Sequence, residues 1–190
     1  MKALIIGISG QDGSYLAELL LKNGYSVIGT SRDLKNKIFS NLEKLNILNE
    51  VSFVELDILD VYQVEKVIRE HKPNEIYNLS GQTSVGASFE NRVETYESIF
   101  LGTLNILEAI KKINQDIKFF NAGSGEIFGG NKENISNEMS AILPMSPYGA
   151  AKASSLHLVD SYCKSFDIFC STGITFNHEF VHPLFFNYFD

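Results

Sequence analysis

The chain opens with an apolar run that ends in a glycine-rich turn and continues directly into a helical pattern. Ala3–Ile6 is entirely apolar, and glycines follow at Gly7, Gly10 and Gly13 in the spacing G-x-x-G-x-x-G. Apolar residues then recur at helical spacing until Gly24, which suits a helix C-terminus. A buried strand that turns at once into a helix is typical of the first unit of a parallel β-α-β sheet.

Strands and helices keep alternating along the 190 residues. Apolar runs predict strands at Ala3–Ile6, Tyr25–Thr30, Val51–Leu56, Glu75–Leu79, Ile117–Phe120 and Ile168–Thr175. Helical spacing predicts helices at Gln11–Asn23, Asn36–Leu48, Val61–Glu70, Val93–Ile113 and Tyr148–Phe166. The alternation predicts an α/β fold with a doubly wound parallel sheet of the Rossmann-like class.

The glycine turn has the features of a dinucleotide-binding site. Its glycines allow a sharp turn, a close approach of the backbone to a pyrophosphate, and close packing of the helix on the sheet. The N–H groups of the first helical turn, around Gln11 and Asp12, can bind phosphate oxygens. We therefore predict that the turn from Gly7 to Gly13 binds a dinucleotide; a merely tight turn is the alternative.

The end of the second predicted strand bears on the choice between NADP and NAD. Ser31 and Arg32 stand where an NAD site places a carboxylate for the ribose hydroxyls, and Arg32 can pair with a 2′-phosphate. This favours NADP, although Asp33 could still reach a ribose. Asp57 follows the third strand, where we expect either a residue near the adenine or the cap of the next helix.

Candidate catalytic residues lie on and before the last predicted helix. Tyr148 and Lys152 are spaced i, i+4 and so share a helix face, where the ammonium is expected to lower the pKa of the phenol. A phenolate can then take the proton of an alcohol. Ser124 and Glu126 follow the fifth strand and supply a hydroxyl and a second proton-transfer group. The alternatives are a surface tyrosine and a solvated lysine for Tyr148 and Lys152, and a loop carboxylate or a helix cap for Glu126.

Composition argues against several other functions. The chain has 16 Lys and Arg against 23 Asp and Glu, a formal net charge of −7, so no basic nucleic-acid surface is expected. It has no run of about 18 apolar residues and no signal-peptide pattern, so we expect a cytoplasmic protein without a membrane partner. Cys163 and Cys170 lack metal-ligand spacing, so no metal site is predicted.

These motifs resemble those of the GDP-mannose 4,6-dehydratases, a family of extended short-chain dehydrogenases/reductases that acts on a nucleotide sugar. The resemblance covers about residues 1–179 and is carried by the segments GISGQDGSYLAELL, VIGTSRD, PNEIYNLSGQTSVGASFE, TLNILEAI, FFNAGSGEIFG, SPYGAAKA and GITFNHE. It implies NADP as the cofactor, bound by Gly7, Gly10, Gln11, Asp12, Gly13, Arg32, Asp57, Leu79, Tyr148 and Lys152. It implies GDP-mannose as the substrate, bound by Gln82, Ser84 and Asn177.

The resemblance also implies a reaction. Tyr148, assisted by Lys152, would take the proton of the sugar 4-hydroxyl while hydride moves from C4 to the nicotinamide. Glu126 would remove the C5 proton as water leaves C6, and hydride would return to C6. The product would be GDP-4-dehydro-6-deoxymannose, a precursor of GDP-fucose and other deoxysugars. An epimerase or reductase of the same superfamily is the alternative, against which Glu126 argues.

The final stretch departs from the family. Residues 180–190 are rich in aromatic side chains, whereas the family continues with residues that form most of the nucleotide-sugar domain. We interpret the chain as an NADP-binding catalytic domain at 1–179 and an atypical aromatic tail at 180–190, without a substrate domain. This interpretation predicts weak or absent dehydratase activity for the chain alone, with a non-catalytic dinucleotide-binding remnant as the alternative. Homo-oligomers are expected for the full-length family and less so for this chain.

Overall fold

A computed structural model describes residues 1–131 and 135–178, and its centre is a six-stranded parallel sheet. The strands are β1 (Lys2–Ile6), β2 (Ser26–Ser31), β3 (Ser52–Glu55), β4 (Glu75–Asn78), β5 (Lys118–Ala122) and β6 (Cys170–Gly173). Their order in the sheet is β3-β2-β1-β4-β5-β6, and every neighbouring pair is parallel. The predicted α/β fold is confirmed. The predicted tail at 180–190 lies outside the described residues.

Seven α-helices connect the strands within these ranges. They are α1 (Gln11–Lys22), α2 (Ser40–Lys44), α3 (Val61–His71), α4 (Val85–Ser88), α5 (Arg92–Tyr96), α6 (Gly102–Ile113) and α7 (Pro147–Phe166). A π-helical segment at Glu97–Leu101 joins α5 to α6, and short 3-10 turns lie at Leu48–Glu50 and Gly125–Phe128. No helix in the described part of the chain is long and apolar enough to cross a membrane.

The helices cover both faces of the sheet. Along β1, Ala3 and Ile5 belong to a core cluster shared with α1 and α2, whereas Leu4 and Ile6 belong to a second cluster shared with α3, α6 and α7. A strand that is buried on both faces is apolar without alternation, which explains the continuous apolar run at the start of the chain. The strand order reverses between β1 and β4, so the loops at their carboxyl ends diverge and leave a crevice.

Candidate active site

The glycine turn between β1 and α1 forms one wall of this crevice. Gly7 has a φ of +91°, and a Cβ atom there would lie 2.7 Å from the backbone oxygen of Leu79. A Cβ atom on Gly13 would lie 2.5 Å from the Gly7 oxygen and 2.7 Å from the Cα atom of Ile8. Gly10 differs, because its nearest neighbour would be the Gly7 oxygen at 3.4 Å. The fold itself therefore requires glycine at two positions, and the open space at Gly10 faces the crevice.

The N-terminus of α1 points into the same region with its backbone donors exposed. Gly10 is the N-cap residue, and no side chain caps the helix. Such an end attracts anions, because its N–H groups are free and the helix dipole is positive there. The carboxylate of Asp12, in the first turn, lies 3.0 Å from Nε2 of His178. Hydrogen bonding to the Phe176 carbonyl, and then to Asp12, raises the pKa of His178.

The crevice is a cleft of about 480 Å³. Of the residues predicted to bind cofactor or substrate, its walls contain Gly7, Gly10, Arg32, Asp57, Leu79 and Gln82. The remaining predicted residues lie outside those walls, namely Gln11, Asp12, Gly13, Ser84, Ser124, Glu126, Tyr148, Lys152 and Asn177. The cleft thus contains strand ends that were predicted to hold the dinucleotide.

Two carboxylates near the cleft have distinct environments. Asp33 is not in the cleft wall, and its carboxylate accepts hydrogen bonds from the backbone of Lys35 (3.0 Å) and Asn36 (3.1 Å). Asp57 lines the cleft, while Asp60 caps α3 by accepting from the backbone N–H groups of Tyr62 and Gln63. The capping alternative for Asp57 on α3 is therefore excluded.

Helix α7 presents Tyr148 and Lys152 from its first two turns. The Ser146 side chain caps the helix and Pro147 occupies its first turn, a sequence that fixes where the helix begins. Tyr148 is 8% and Lys152 8% exposed. The Lys152 ammonium donates a 2.7 Å hydrogen bond to the Ala122 carbonyl at the end of β5, and it lies 5.7 Å from the centroid of the Tyr148 ring. Burial lowers the pKa of Lys152 to about 8.

The pKa of the Tyr148 phenol is raised, whereas the i, i+4 spacing to Lys152 predicted that it would be lowered. Burial raises its pKa, the hydrogen bond with the Ser124 hydroxyl lowers it, and the charge of Glu126 raises it, with a net increase. Lys152 donates to a backbone carbonyl instead of acting on the phenol. The expectation of a lowered Tyr148 pKa is therefore wrong, because loss of solvation outweighs the favourable contacts.

The turn after β5 places Ser124 and Glu126 beside Tyr148. The Ser124 side chain accepts a hydrogen bond from the Glu126 backbone at 3.2 Å, which starts the 3-10 turn Gly125–Phe128. Ser124 is 8% exposed, whereas the Glu126 side chain faces solvent. Because the Ser124 hydroxyl and the Glu126 charge both affect the pKa of Tyr148, the three side chains lie near one another at the carboxyl edge of the sheet, where parallel sheets usually carry their sites.

The three residues predicted to bind substrate have unequal environments. Gln82 lines the cleft, and its side-chain oxygen is buried without a hydrogen-bond partner among the described residues. Ser84 is exposed and caps α4 by accepting from the Ala87 backbone at 3.2 Å. Asn177 is exposed, beyond the end of β6. The orphaned oxygen of Gln82 is the one feature of the three that calls for a ligand, since buried polar atoms are normally paired.

Sequence reasoning missed the polar network that connects β4, β5 and α6 to α7. Asn78 donates to Asn121 (3.0 Å) and to Thr103 (3.1 Å), and Asn121 donates to Ser155 of α7 (2.9 Å). All four residues are buried. Isolated polar residues in or beside apolar segments give no periodic signal; the available sign was that Asn78 lies within a predicted strand and Asn121 directly follows one.

No metal-binding cluster is present in the described ranges 1–131 and 135–178, where no three or more His, Cys, Asp or Glu side chains come together. Cys163 is exposed, Cys170 is buried, and both are free thiols.

Solved structures share this fold. The UDP-glucose 4-epimerase of Thermus thermophilus, in complex with NAD, superposes with a TM-score of 0.79 at 28% identity, covering 90% of this chain and 54% of the epimerase. The dTDP-glucose 4,6-dehydratase of Bacillus anthracis, in complex with NAD, superposes with a TM-score of 0.75 at 24% identity, covering 90% of this chain and 53% of that one. The second likeness shows the fold alone.

Sequence comparison gives the family. GDP-mannose 4,6-dehydratase of Vibrio cholerae is 36% identical over 185 residues, and the human enzyme is 38% identical over 185 residues. The alignments cover 94% and 93% of this chain but 50% of each relative, so the chain spans about half the length of the curated relatives it matches. The family model for GDP-mannose 4,6 dehydratase matches residues 4–183, and the chain therefore belongs to the GDP-mannose 4,6-dehydratase family.

Proposed function

We propose that this protein acts in the NADP-dependent dehydration of GDP-mannose to GDP-4-dehydro-6-deoxymannose. The observation that carries the proposal is the convergence of the Tyr148 phenol, the Ser124 hydroxyl and the Glu126 carboxylate at one sheet edge. Tyr148 belongs to the same core cluster as Ile99, whose neighbour Ser98 lines the cleft. A proton-transfer group is thus next to the cleft, in a chain that belongs to the GDP-mannose 4,6-dehydratase family.

The cleft fits a nicotinamide dinucleotide. Gly7 and Gly13 allow the turn, Gly10 leaves open space that a side chain would fill, and the uncapped N-terminus of α1 offers donors to phosphate. Asp57 and Leu79 would hold the adenine and nicotinamide ends. When bound, the nicotinamide supplies reversible hydride transfer with the sugar carbons.

We assign the cofactor as NADP, because of the charges at the end of β2. The cleft wall there contains the guanidinium of Arg32, which can pair with a 2′-phosphate. The nearby carboxylate of Asp33, which an NAD site would use for the ribose, is instead held by Lys35 and Asn36. Arg32 in the cleft wall can bind the 2′-phosphate, and the Asp33 carboxylate is already hydrogen-bonded within its own turn. Both features favour NADP over NAD.

The chain's own residues would carry the proton transfers. Tyr148 acts as the base for the sugar 4-hydroxyl; burial raises its pKa, and the hydrogen bond with Ser124 partly offsets that rise. Lys152, with a pKa of about 8, keeps its charge at neutral pH and orients the end of β5 through Ala122. Glu126 takes the C5 proton once C4 has become a ketone, and this second proton-transfer group favours dehydration over epimerisation.

The remaining assignments extend the same proposal. Gln82 would bind the ligand through its unpartnered oxygen, and Ser84 and Asn177 would contact the nucleotide sugar. Residues 1–179 would form the cofactor-binding and catalytic domain. The predictions of a cytoplasmic location and of homo-oligomers remain predictions.

The proposal is tested by mixing the 190-residue chain with NADP⁺ and GDP-mannose. In line with the weak activity expected of this chain alone, we expect a low yield of a product that is lighter than GDP-mannose by one water, detected by mass spectrometry. The variant Glu126→Gln should still form reduced cofactor, seen by its absorbance, without loss of water. A chain that binds both ligands and yields neither reduced cofactor nor product would overturn the catalytic assignment while leaving cofactor binding intact.

A further inference from the structure

A second cation lies with Arg32 in the wall of the cleft. Lys37 lines it beside Thr30, Ser31 and Arg32, at the carboxyl end of β2. Neither Arg32 nor Lys37 forms a hydrogen bond or an ion pair through its side chain with any residue in the ranges 1–131 and 135–178. Both positive charges are therefore available to an anion that enters the cleft.

The position of Lys37 depends on a turn that is organised by Asp33. One carboxylate oxygen of Asp33 accepts from the backbone N–H groups of Lys35 (3.0 Å) and Asn36 (3.1 Å). The other accepts from the Asn36 side chain at 2.7 Å. These bonds reverse the chain directly after β2, so that it returns to the cleft at Lys37.

The far side of the turn is also attached to the site. The Asn41 side chain, on α2, donates a 3.2 Å hydrogen bond to the backbone oxygen of Ser9, which belongs to the glycine turn and lines the cleft. Residues 33–41 are thus held at the Asp33 turn and again at the glycine turn. Lys37 lies between these two attachments and lines the cleft together with Arg32.

We propose that Lys37 is a second ligand of the cofactor 2′-phosphate, presented by the Asp33 turn and acting together with Arg32. The inference rests on the proposed NADP site. A phosphate monoester carries a charge of about −1.5 to −2 at neutral pH, so one guanidinium leaves it incompletely neutralised. The Lys37 ammonium is a second cation on a flexible stem. Beside the planar guanidinium of Arg32, it completes the charge balance without requiring a second fixed geometry.

The same turn explains why NAD would be disfavoured. Three hydrogen bonds already satisfy the Asp33 carboxylate, and the hydrogen bonds from Asn36 lower its pKa. A ribose diol would have to break these bonds to reach it. The residue that looks like an NAD determinant in the sequence therefore serves to place an NADP determinant.

The test compares Lys37→Gln with Lys35→Gln, using calorimetric titration with NADPH and NADH. Lys35 is a matched control because it lies in the same turn, is exposed, and does not line the cleft. We expect Lys37→Gln to weaken NADPH binding about tenfold, the effect of losing one charge-assisted hydrogen bond, and to leave NADH binding unchanged. Lys35→Gln should alter neither.

The variant Asp33→Ala tests the turn independently. We expect weaker NADPH binding with unchanged NADH binding, because only the placement of Lys37 is lost; thermal melts confirm folding. Loss of NADH binding would show that Asp33 contacts the ribose and would overturn the inference. A wild-type chain that prefers NADPH while Lys37→Gln behaves like Lys35→Gln overturns the role of Lys37 alone. A wild-type chain that binds neither dinucleotide overturns the proposed site as well.

Discussion

Lys152 combines deep burial with a formal charge. It is 8% exposed as a residue, and its ammonium donates a hydrogen bond to the Ala122 carbonyl. Burial disfavours the charged form, and its pKa falls from 10.5 to about 8. Between these two pH values the unfolded chain keeps a proton that the folded chain has released. The free energy of unfolding therefore rises with pH between these two values. Below about pH 8 the destabilisation by the buried charge is fully present.

The neutral variant Lys152→Met isolates this effect. The free energy of unfolding of the wild-type chain should rise relative to the variant by up to about 3 kcal/mol between about pH 8 and pH 10.5, at about 1.36 kcal/mol per pH unit. Urea unfolding at several pH values measures it. Parallel pH profiles for the two chains would mean that Lys152 is hydrated and not buried.

Ser124 is the side chain whose hydrogen bond lowers the Tyr148 pKa. Removing its hydroxyl in Ser124→Ala should raise that pKa further and move the alkaline rise of activity, or of tyrosinate absorbance, to higher pH. Ser124→Thr keeps the hydroxyl and should restore the wild-type profile. An identical profile in Ser124→Ala and the wild type would remove Ser124 from the proton-transfer group.

The proposed catalytic residues can be named from the sequence because their types and spacing are unusual in combination, whereas their pKa values cannot. The pair Tyr148 and Lys152 was found from its i, i+4 spacing, but the direction of the Tyr148 pKa depends on burial, which spacing does not encode. Lys37 was missed for a related reason. It is brought to the cleft by the Asp33 turn, and nothing in a local pattern reports where a turn directs the next side chain.

At the scale of elements, two glycines of the β1–α1 turn should have different roles. Gly13 is required by the packing of the fold, whereas Gly10 leaves space for a ligand. Gly13→Ala would place a Cβ atom 2.5 Å from one backbone atom and 2.7 Å from another, so it should destabilise the chain by about 1–3 kcal/mol. Gly10→Ala meets nothing closer than 3.4 Å and should change stability by less than about 0.5 kcal/mol.

Measurements of dinucleotide affinity should show an effect at Gly10, where stability shows none. Gly10→Ala fills space that faces the cleft and should weaken NADPH binding in calorimetric titration despite normal folding. Thermal melts of both variants provide the stability comparison. A stable Gly10→Ala chain with wild-type affinity would mean that the phosphates do not approach this residue.

Strands and long helices followed the hydrophobic pattern closely, and the exceptions have local causes. Helix α4, Val85–Ser88, is too short for periodicity to reveal it. The predicted helix at Asn36–Leu48 is confined to Ser40–Lys44, because the Asp33 turn occupies the residues before it. The π-helical segment Glu97–Leu101 lies inside the predicted helix Val93–Ile113, and the sequence prediction did not distinguish it from α-helix.

At the scale of the whole molecule, a ligand that binds only the folded chain must stabilise it. NADPH at about 100 times its dissociation constant adds about 2.7 kcal/mol, which should raise the Tm by about 5–10 °C for a chain of this size. NADH at the same concentration should give a smaller shift, because it lacks the 2′-phosphate. Scanning calorimetry measures both, and equal shifts would contradict the NADP assignment.

Mutations should destabilise the protein to different extents in two of its parts. One is the Asp33–Lys37 turn, and the other is the buried network of Asn78, Thr103, Asn121 and Ser155. Replacements in the network leave unpaired polar groups in the core, so few sequences can preserve it. The turn is largely exposed and contains no fully buried residue, so its charges can be exchanged at little cost to stability. A change of cofactor preference at the proposed site is therefore compatible with an unchanged core network, and redesign of this protein toward NAD should begin at that turn.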